Sequence, residues 1–176
     1  MIFVAGVHGV GKTYICQQLK QNLIVYSASE LIEQYSKIRY NGYKKVYGIE
    51  ENQNHLVNAV RQKENQSREF ILDGHFCLFN ADGDVEKIPY AVFKKLNMEG
   101  IILFWNREEI IQRNVLKREG NSDTLKLHKI SELQKLEIEY AKDVAQELDI
   151  PIATINTSDK DAVSKCRQFI SKIWRE

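Results

Sequence analysis

The run Gly6-Val7-His8-Gly9-Val10-Gly11-Lys12-Thr13 places three glycines, a lysine and a hydroxyl within eight positions, directly after the apolar stretch Ile2-Phe3-Val4-Ala5. Glycines let a backbone turn so that its N–H groups face inward around a phosphate, where a side chain would obstruct the approach. The N-terminal end of a following helix adds positive partial charge. Lys12 would then reach the β- and γ-phosphates of a nucleoside triphosphate, and the Thr13 hydroxyl would ligate Mg²⁺. With a strand before it and a helical pattern after it, this is the P-loop spacing. The expected nucleotide-binding set is Gly6, His8, Gly9, Val10, Gly11, Lys12, Thr13 and Tyr14. The His8 ring, at a variable loop position, is expected to be exposed rather than catalytic.

A second chemical element is Asp73, at the end of the apolar run Phe70-Ile71-Leu72. A carboxylate at the C-terminal end of a buried strand faces the crevice where open α/β sheets bind ligands. There Asp73 would hold Mg²⁺ through water or orient an acceptor hydroxyl, and His75 would either touch the acceptor or satisfy a buried carbonyl. A third element is the arginine-bearing segment after Trp105. Arg113 and Arg118 precede the break Gly120-Asn121-Ser122-Asp123. Guanidinium forks match phosphoryl oxygens, so this pair reads as a lid over the transferring group, whereas Arg107 reads as surface.

The elements that must position these residues follow from periodicity. Ile2–Ala5, Leu23–Tyr26, Phe70–Leu72, Ile101–Trp105 and Pro151–Ile155 are short apolar runs, most of them without the alternation of a half-solvated strand. Polar segments with helical spacing separate them, which is α/β alternation. Ile130, Leu133, Leu136, Tyr140, Val144 and Leu148 step by three and four, as do Val163, Cys166, Phe169 or Ile170, and Ile173. Ser27 and Glu30 have capping-box spacing and predict a helix through Leu31, Ile32 and Tyr35. A further helix is expected over about Glu51 to Asn65. Arg39 to Gly48 reads as a mobile connection, and Asn80-Ala-Asp-Gly-Asp84 as a turn, since it lacks the ligand series of a calcium-binding EF-hand. The fold class expected is a doubly wound P-loop α/β domain with a five-stranded, mostly parallel sheet. It forms a single domain over 1–176, with acceptor-side helices at about 27–66 and a short lid at about 113–125.

Composition narrows the class. A chain of 176 residues with 25 basic and 24 acidic residues has a formal charge of +1, so no broad field points to nucleic acid or an anionic membrane. Cys16, Cys77 and Cys166 are too scattered for a disulfide framework or zinc site, and reduced thiols fit a cytoplasmic protein. No apolar run approaches a membrane span, and the N-terminus lacks the pattern of a secretory signal. The sequence has no Asn-Lys-x-Asp guanine-reading motif and little room for the extra helical domain of a ring ATPase, which leaves small kinases.

The chain resembles the P-loop nucleoside monophosphate kinases, and among them the archaeal-type adenylate kinases, over nearly its whole length. The residues concerned are GVHGVGKT, Leu72-Asp73-Gly74-His75, the turn Ala81-Asp82-Gly83-Asp84 leading to Ile88-Pro89, the Arg113, Arg118 and Asp123 segment, and Ile155-Asn156-Thr157. The resemblance implies ATP and Mg²⁺ as cofactors, Lys12, Asp73, Arg113 and Arg118 as catalytic residues, Thr13 and Asp73 at the metal, and Asn156 in the loop against adenine. It also implies a small-molecule acceptor, a nucleoside monophosphate. Where many adenylate kinases carry Thr-Gly-Asp and Asp-Gly-Phe-Pro-Arg, this chain has Ser27-Ala28-Ser29-Glu30 and Asp73-Gly74-His75-Phe76-Cys77. Fold and donor site therefore carry over better than the substrate. Other readings are a kinase for a metabolite hydroxyl or an RNA end, with Arg39 to Tyr47 as its docking surface, and a nucleotide-sensing ATPase acting through partner binding.

Overall fold

The computed structural model describes residues 1–36, 49–80, 83–119 and 126–174. The connection at 39–48, Ala81 and Asp82 of the turn, and the Gly120–Asp123 break of the expected lid lie outside the described residues.

Five parallel strands form the central sheet: β1 (Ile2–Ala5), β2 (Val25–Ser27), β3 (Ile71–Asp73), β6 (Gly100–Trp105) and β7 (Ile152–Asn156), in the order β2-β3-β1-β6-β7. The expected α/β P-loop fold is therefore observed, with every pairing in this sheet parallel. Every residue of β1 is buried, as are Ile71 and Leu72 of β3 and Gly100 to Phe104 of β6. Their continuous apolar runs suit strands covered by helices on both faces. The edge strands β2 and β7 are only partly buried.

The helices are α1 (Lys12–Leu19), α2 (Ala28–Ser36), α3 (Ile49–Glu64), α4 (Tyr90–Lys95), α5 (Glu108–Glu119), α6 (Leu127–Glu147) and α7 (Ala162–Trp174). The start of α2 matches the capping expectation loosely, since Glu30 N–H points to Ser27 Oγ at 3.5 Å. Helices α1 and α7 pack together, and α6 packs on β6 and against α5. Sequence reading did not anticipate the antiparallel hairpin of β4 (Cys77–Phe79) and β5 (Val85–Lys87), or the short helix α4. The turn expected at 80–84 closes that hairpin: Asn80 N–H donates to Asp84 O at 2.9 Å and Gly83 N–H to Asn80 O at 3.1 Å.

β1 is the strand from which the order runs both ways, to β3 on one side and β6 on the other. The crevice beyond the carboxyl ends of such a switch point is where doubly wound sheets hold ligands. Phe3 and Phe93 line it, and behind them Phe76 meets Phe3 edge-on at 5.2 Å and Phe93 at 4.6 Å between centroids.

Candidate active site

The P-loop follows β1 and ends at Gly11, which caps α1. Its middle is held from outside by side chains from two other segments, α5 and the loop after β7. Asn114 Nδ2 of α5 donates to Gly9 O at 2.9 Å, and the Thr157 hydroxyl after β7 donates to Val10 O. Thr157 Oγ1 in turn accepts from Asn106 Nδ2 at 2.8 Å, and Asn106 is clamped to α6 by Gln134 through bonds of 3.0 and 2.9 Å. A trans peptide points its C=O and N–H to opposite sides, so the Thr157 bond to Val10 O turns the Gly11 N–H away from Thr157.

Gly9 has φ +81°, and a Cβ there would lie 2.6 Å from Val115 Cγ2 and 3.0 Å from Ile111 O. The glycine is required by the close approach of α5 as well as by the turn. Lys12 is 8% exposed, and its ammonium donates to Gly6 O, folding back across its own loop.

A cavity of about 380 Å³ opens at the carboxyl end of the sheet and is continuous from the P-loop to the second strand. On the P-loop side it is lined by His8, Gly9, Gly11, Lys12 and Thr13; beyond them lie Asp73 and His75, and then Ser27, Ser29, Asn52 and Gln53. Arg118 reaches the same cavity. Gly74, between Asp73 and His75, lies so close to the Phe3 ring that a Cβ would come within 2.7 Å of it.

Other expected site residues lie elsewhere. Gly6 and Val10 do not line the cavity: Gly6 N–H donates to Glu137, and Val10 N–H donates to Val7 O at 3.2 Å. Tyr14 is 66% exposed. Arg113 is exposed and outside the lining, as is Arg107. Asn156 Oδ1 accepts Ser158 N–H at 2.8 Å, shaping the loop after β7, and Asn156 too lies outside the lining. His8, expected at the surface, is half-buried in the cavity wall.

Thr13 and Asp73 share the cavity, and a hydroxyl with a carboxylate is the hard-oxygen donor set that Mg²⁺ takes alongside water and phosphate oxygens. Cys16, on the same wall, has its thiol pushed up to about 12 by burial and the nearby Asp73 charge, so it stays neutral there. Among the described residues no group of three His, Cys, Asp or Glu side chains could form a metal cluster of its own.

The sequence profile of a family described as the AAA domain matches residues 5–134, from the end of β1 into α6. The chain belongs to that family. No curated protein sequence matches it. Solved structures share the fold. Shikimate kinase from Acinetobacter baumannii in complex with shikimate aligns with a TM-score of 0.57 at 15% identity, covering 99% of this chain and 92% of that one. Deoxyadenosine kinase from M. mycoides, with its products dCMP and dCDP, gives 0.56 at 15% identity, covering 98% and 100%. Shikimate kinase from Bacteroides thetaiotaomicron gives 0.51 at 13%, covering 99% and 98%.

Sequence reading missed Asn106, Asn114, Gln134, Glu137 and Gln53, and the bond by which Thr157 holds the P-loop. One signal was available for two of them. Gln134 and Glu137 fall on the apolar stripe of α6, between Leu133 and Ala141, and a polar residue on a buried stripe marks a partner to be found.

Proposed function

We propose that this protein binds ATP with Mg²⁺ and transfers the γ-phosphoryl group to a small acceptor, a nucleoside monophosphate. The observation that carries this reading is the continuity of the cavity. It runs past the P-loop and Asp73 onto Ser27, Ser29, Asn52 and Gln53, giving room for a second substrate beyond the donor phosphates.

Lys12 and the loop amides would hold the β- and γ-phosphates, with the Lys12 ammonium exchanging Gly6 O for phosphate oxygen. Thr13 and Asp73 would hold the Mg²⁺, which when bound neutralises charge on the phosphate oxygens. Asp73, which lines the same cavity, would also orient an acceptor oxygen, and Arg118 would face the transferring group with Arg113 behind it on the same helix. The acceptor choice draws on the motif resemblance to adenylate kinases.

A second acceptor class is favoured by the lining itself. Among the described residues, the polar groups at the far end of the cavity are the hydroxyls of Tyr26, Ser27 and Ser29, the amides of Asn52 and Gln53 and the carboxylate of Glu30, set among apolar side chains, and the buried Gln53 Oε1 has no hydrogen-bond partner. The hydroxyls and amides among these groups would suit the O–H or N–H of an uncharged metabolite. The buried free cysteines support a reducing, cytoplasmic setting. No described helix is long and apolar enough to cross a membrane.

The test is transfer of label from γ-labelled ATP across nucleoside monophosphates and hydroxyl-bearing metabolites. Labelled product from a nucleoside monophosphate supports the first reading, and product from a neutral hydroxyl compound the second. Release of free phosphate alone across the whole panel would contradict both and favour a nucleotide-sensing ATPase.

A further inference from the structure

Glu137 is 1% exposed on α6, a helix that contributes no residue to the cavity lining, yet its carboxylate reaches both sides of the proposed site. Oε1 accepts Gly6 N–H at 3.1 Å and Phe76 N–H at 3.0 Å; Oε2 accepts Phe76 N–H at 3.0 Å and Cys77 N–H at 2.6 Å. Gly6 opens the donor loop. Phe76 and Cys77 follow directly on Asp73-Gly74-His75, where the cavity passes to its acceptor side.

Burying a carboxylate is costly, and an apolar side chain would continue the α6 stripe of Ile130, Leu133, Ala141 and Val144 without that cost. Helix packing alone therefore supplies no reason for an acid here. What the acid supplies is a charge-assisted grip on peptide groups from two segments at once.

We infer that Glu137 is a positioning residue: by holding the Gly6, Phe76 and Cys77 peptide N–H groups on one carboxylate, it sets the donor loop in register with the Asp73–His75 segment. This rests on the phosphotransferase reading above. Donor and acceptor must meet in line, and a misplacement of about 1 Å costs on the order of 10²-fold in rate.

The grip depends on ionisation. Burial pushes the Glu137 carboxyl up to about 7, while the Phe76 N–H, the Lys12 ammonium and the Cys77 and Gly6 N–H groups pull it down. The charged and titratable groups coupled to it include Lys12 from α1 and the Cys77 thiol from β4, itself pushed up to about 12 by burial. Protonation would place an O–H among groups that are all donors, loosening the grip as pH falls through the neutral range.

The experiment measures kcat, KM and calorimetric ATP affinity against pH for the full chain, Glu137→Gln and Lys12→Ala, using the acceptor found by the label screen. Glu137→Gln is expected to lose about 10²-fold in kcat while ATP affinity stays within about threefold, and to lack the acid-side fall in kcat shown by the unsubstituted protein. Turnover within about twofold of the unsubstituted protein, or equal losses of turnover and ATP affinity, would overturn the inference. If Lys12→Ala is inactive while Glu137→Gln is normal, only the role of Glu137 fails; if Lys12→Ala is fully active, the kinase reading fails first. Should Glu137→Gln not fold, amide NMR of the unsubstituted protein decides. The Gly6, Phe76 and Cys77 N–H resonances are expected to titrate with one midpoint that matches the kcat profile, and separate midpoints would overturn the inference.

Discussion

Asn114 Nδ2 donates to the carbonyl of Gly9 at 2.9 Å across 105 positions of sequence, so the middle of the P-loop is held by the helix that follows β6. Replacing Asn114 by leucine leaves that carbonyl without its partner. The expected cost is about 1–3 kcal/mol of stability, together with weaker ATP binding from a loosened loop. Urea unfolding and an ATP titration measure both, and an unchanged unfolding midpoint would show that the bond does not hold the loop.

Gly9→Ala tests the loop from the opposite direction. Its Cβ would meet Val115 Cγ2 at 2.6 Å on a backbone with φ +81°, so both strain and collision oppose the substitution. A loss of about 2 kcal/mol or more is expected in thermal or urea unfolding. Stability equal to that of the unsubstituted protein would mean that α5 can retreat.

The ionisation of Glu137 gives a pH dependence whose sign can be worked out. Its carboxyl rises from 4.5 to about 7 on folding, chiefly through burial, so between those values the folded state binds more protons than the unfolded one. Stability from this group is complete below the lower value and is lost as pH rises through the upper one. Relative to Glu137→Gln, the unsubstituted protein should lose roughly 3 kcal/mol between about pH 5 and about pH 8 in urea unfolding. A difference that stays flat or grows with pH would contradict the assignment. The anion that grips the loop is thus the form that costs the fold more.

Gln53 addresses the acceptor. Gln53 lines the far end of the cavity and its buried Oε1 has no partner among the described residues, so Gln53→Leu removes an amide that would meet the acceptor. KM for the acceptor should rise about tenfold or more, with KM for ATP unchanged. Equal effects on both substrates would place Gln53 outside acceptor recognition.

What the sequence disclosed depended on range. The P-loop and the strand ending in Asp73 were readable because each is written in a few consecutive residues, and β1 and β6 because full burial demands unbroken apolar runs. The hairpin was hidden: β4 has only Cys77, Leu78 and Phe79, and its Cys77 N–H is anchored by Glu137, 60 positions away. Thr157 holds Val10 across 147 positions, and nothing in its neighbours announces that bond. Arg113 and Arg118 looked equivalent in sequence, yet on α5 five residues turn the helix by about 140° beyond a full circle, and only Arg118 reaches the cavity.

Lys12 carries the central claim. Calorimetric titration with ATP and Mg²⁺ is expected to show one saturable site, which Lys12→Ala weakens strongly without changing the thermal unfolding midpoint by more than a few degrees. Folded protein that gives no binding heat at any ATP concentration and no ATP-dependent rise in unfolding temperature would contradict it.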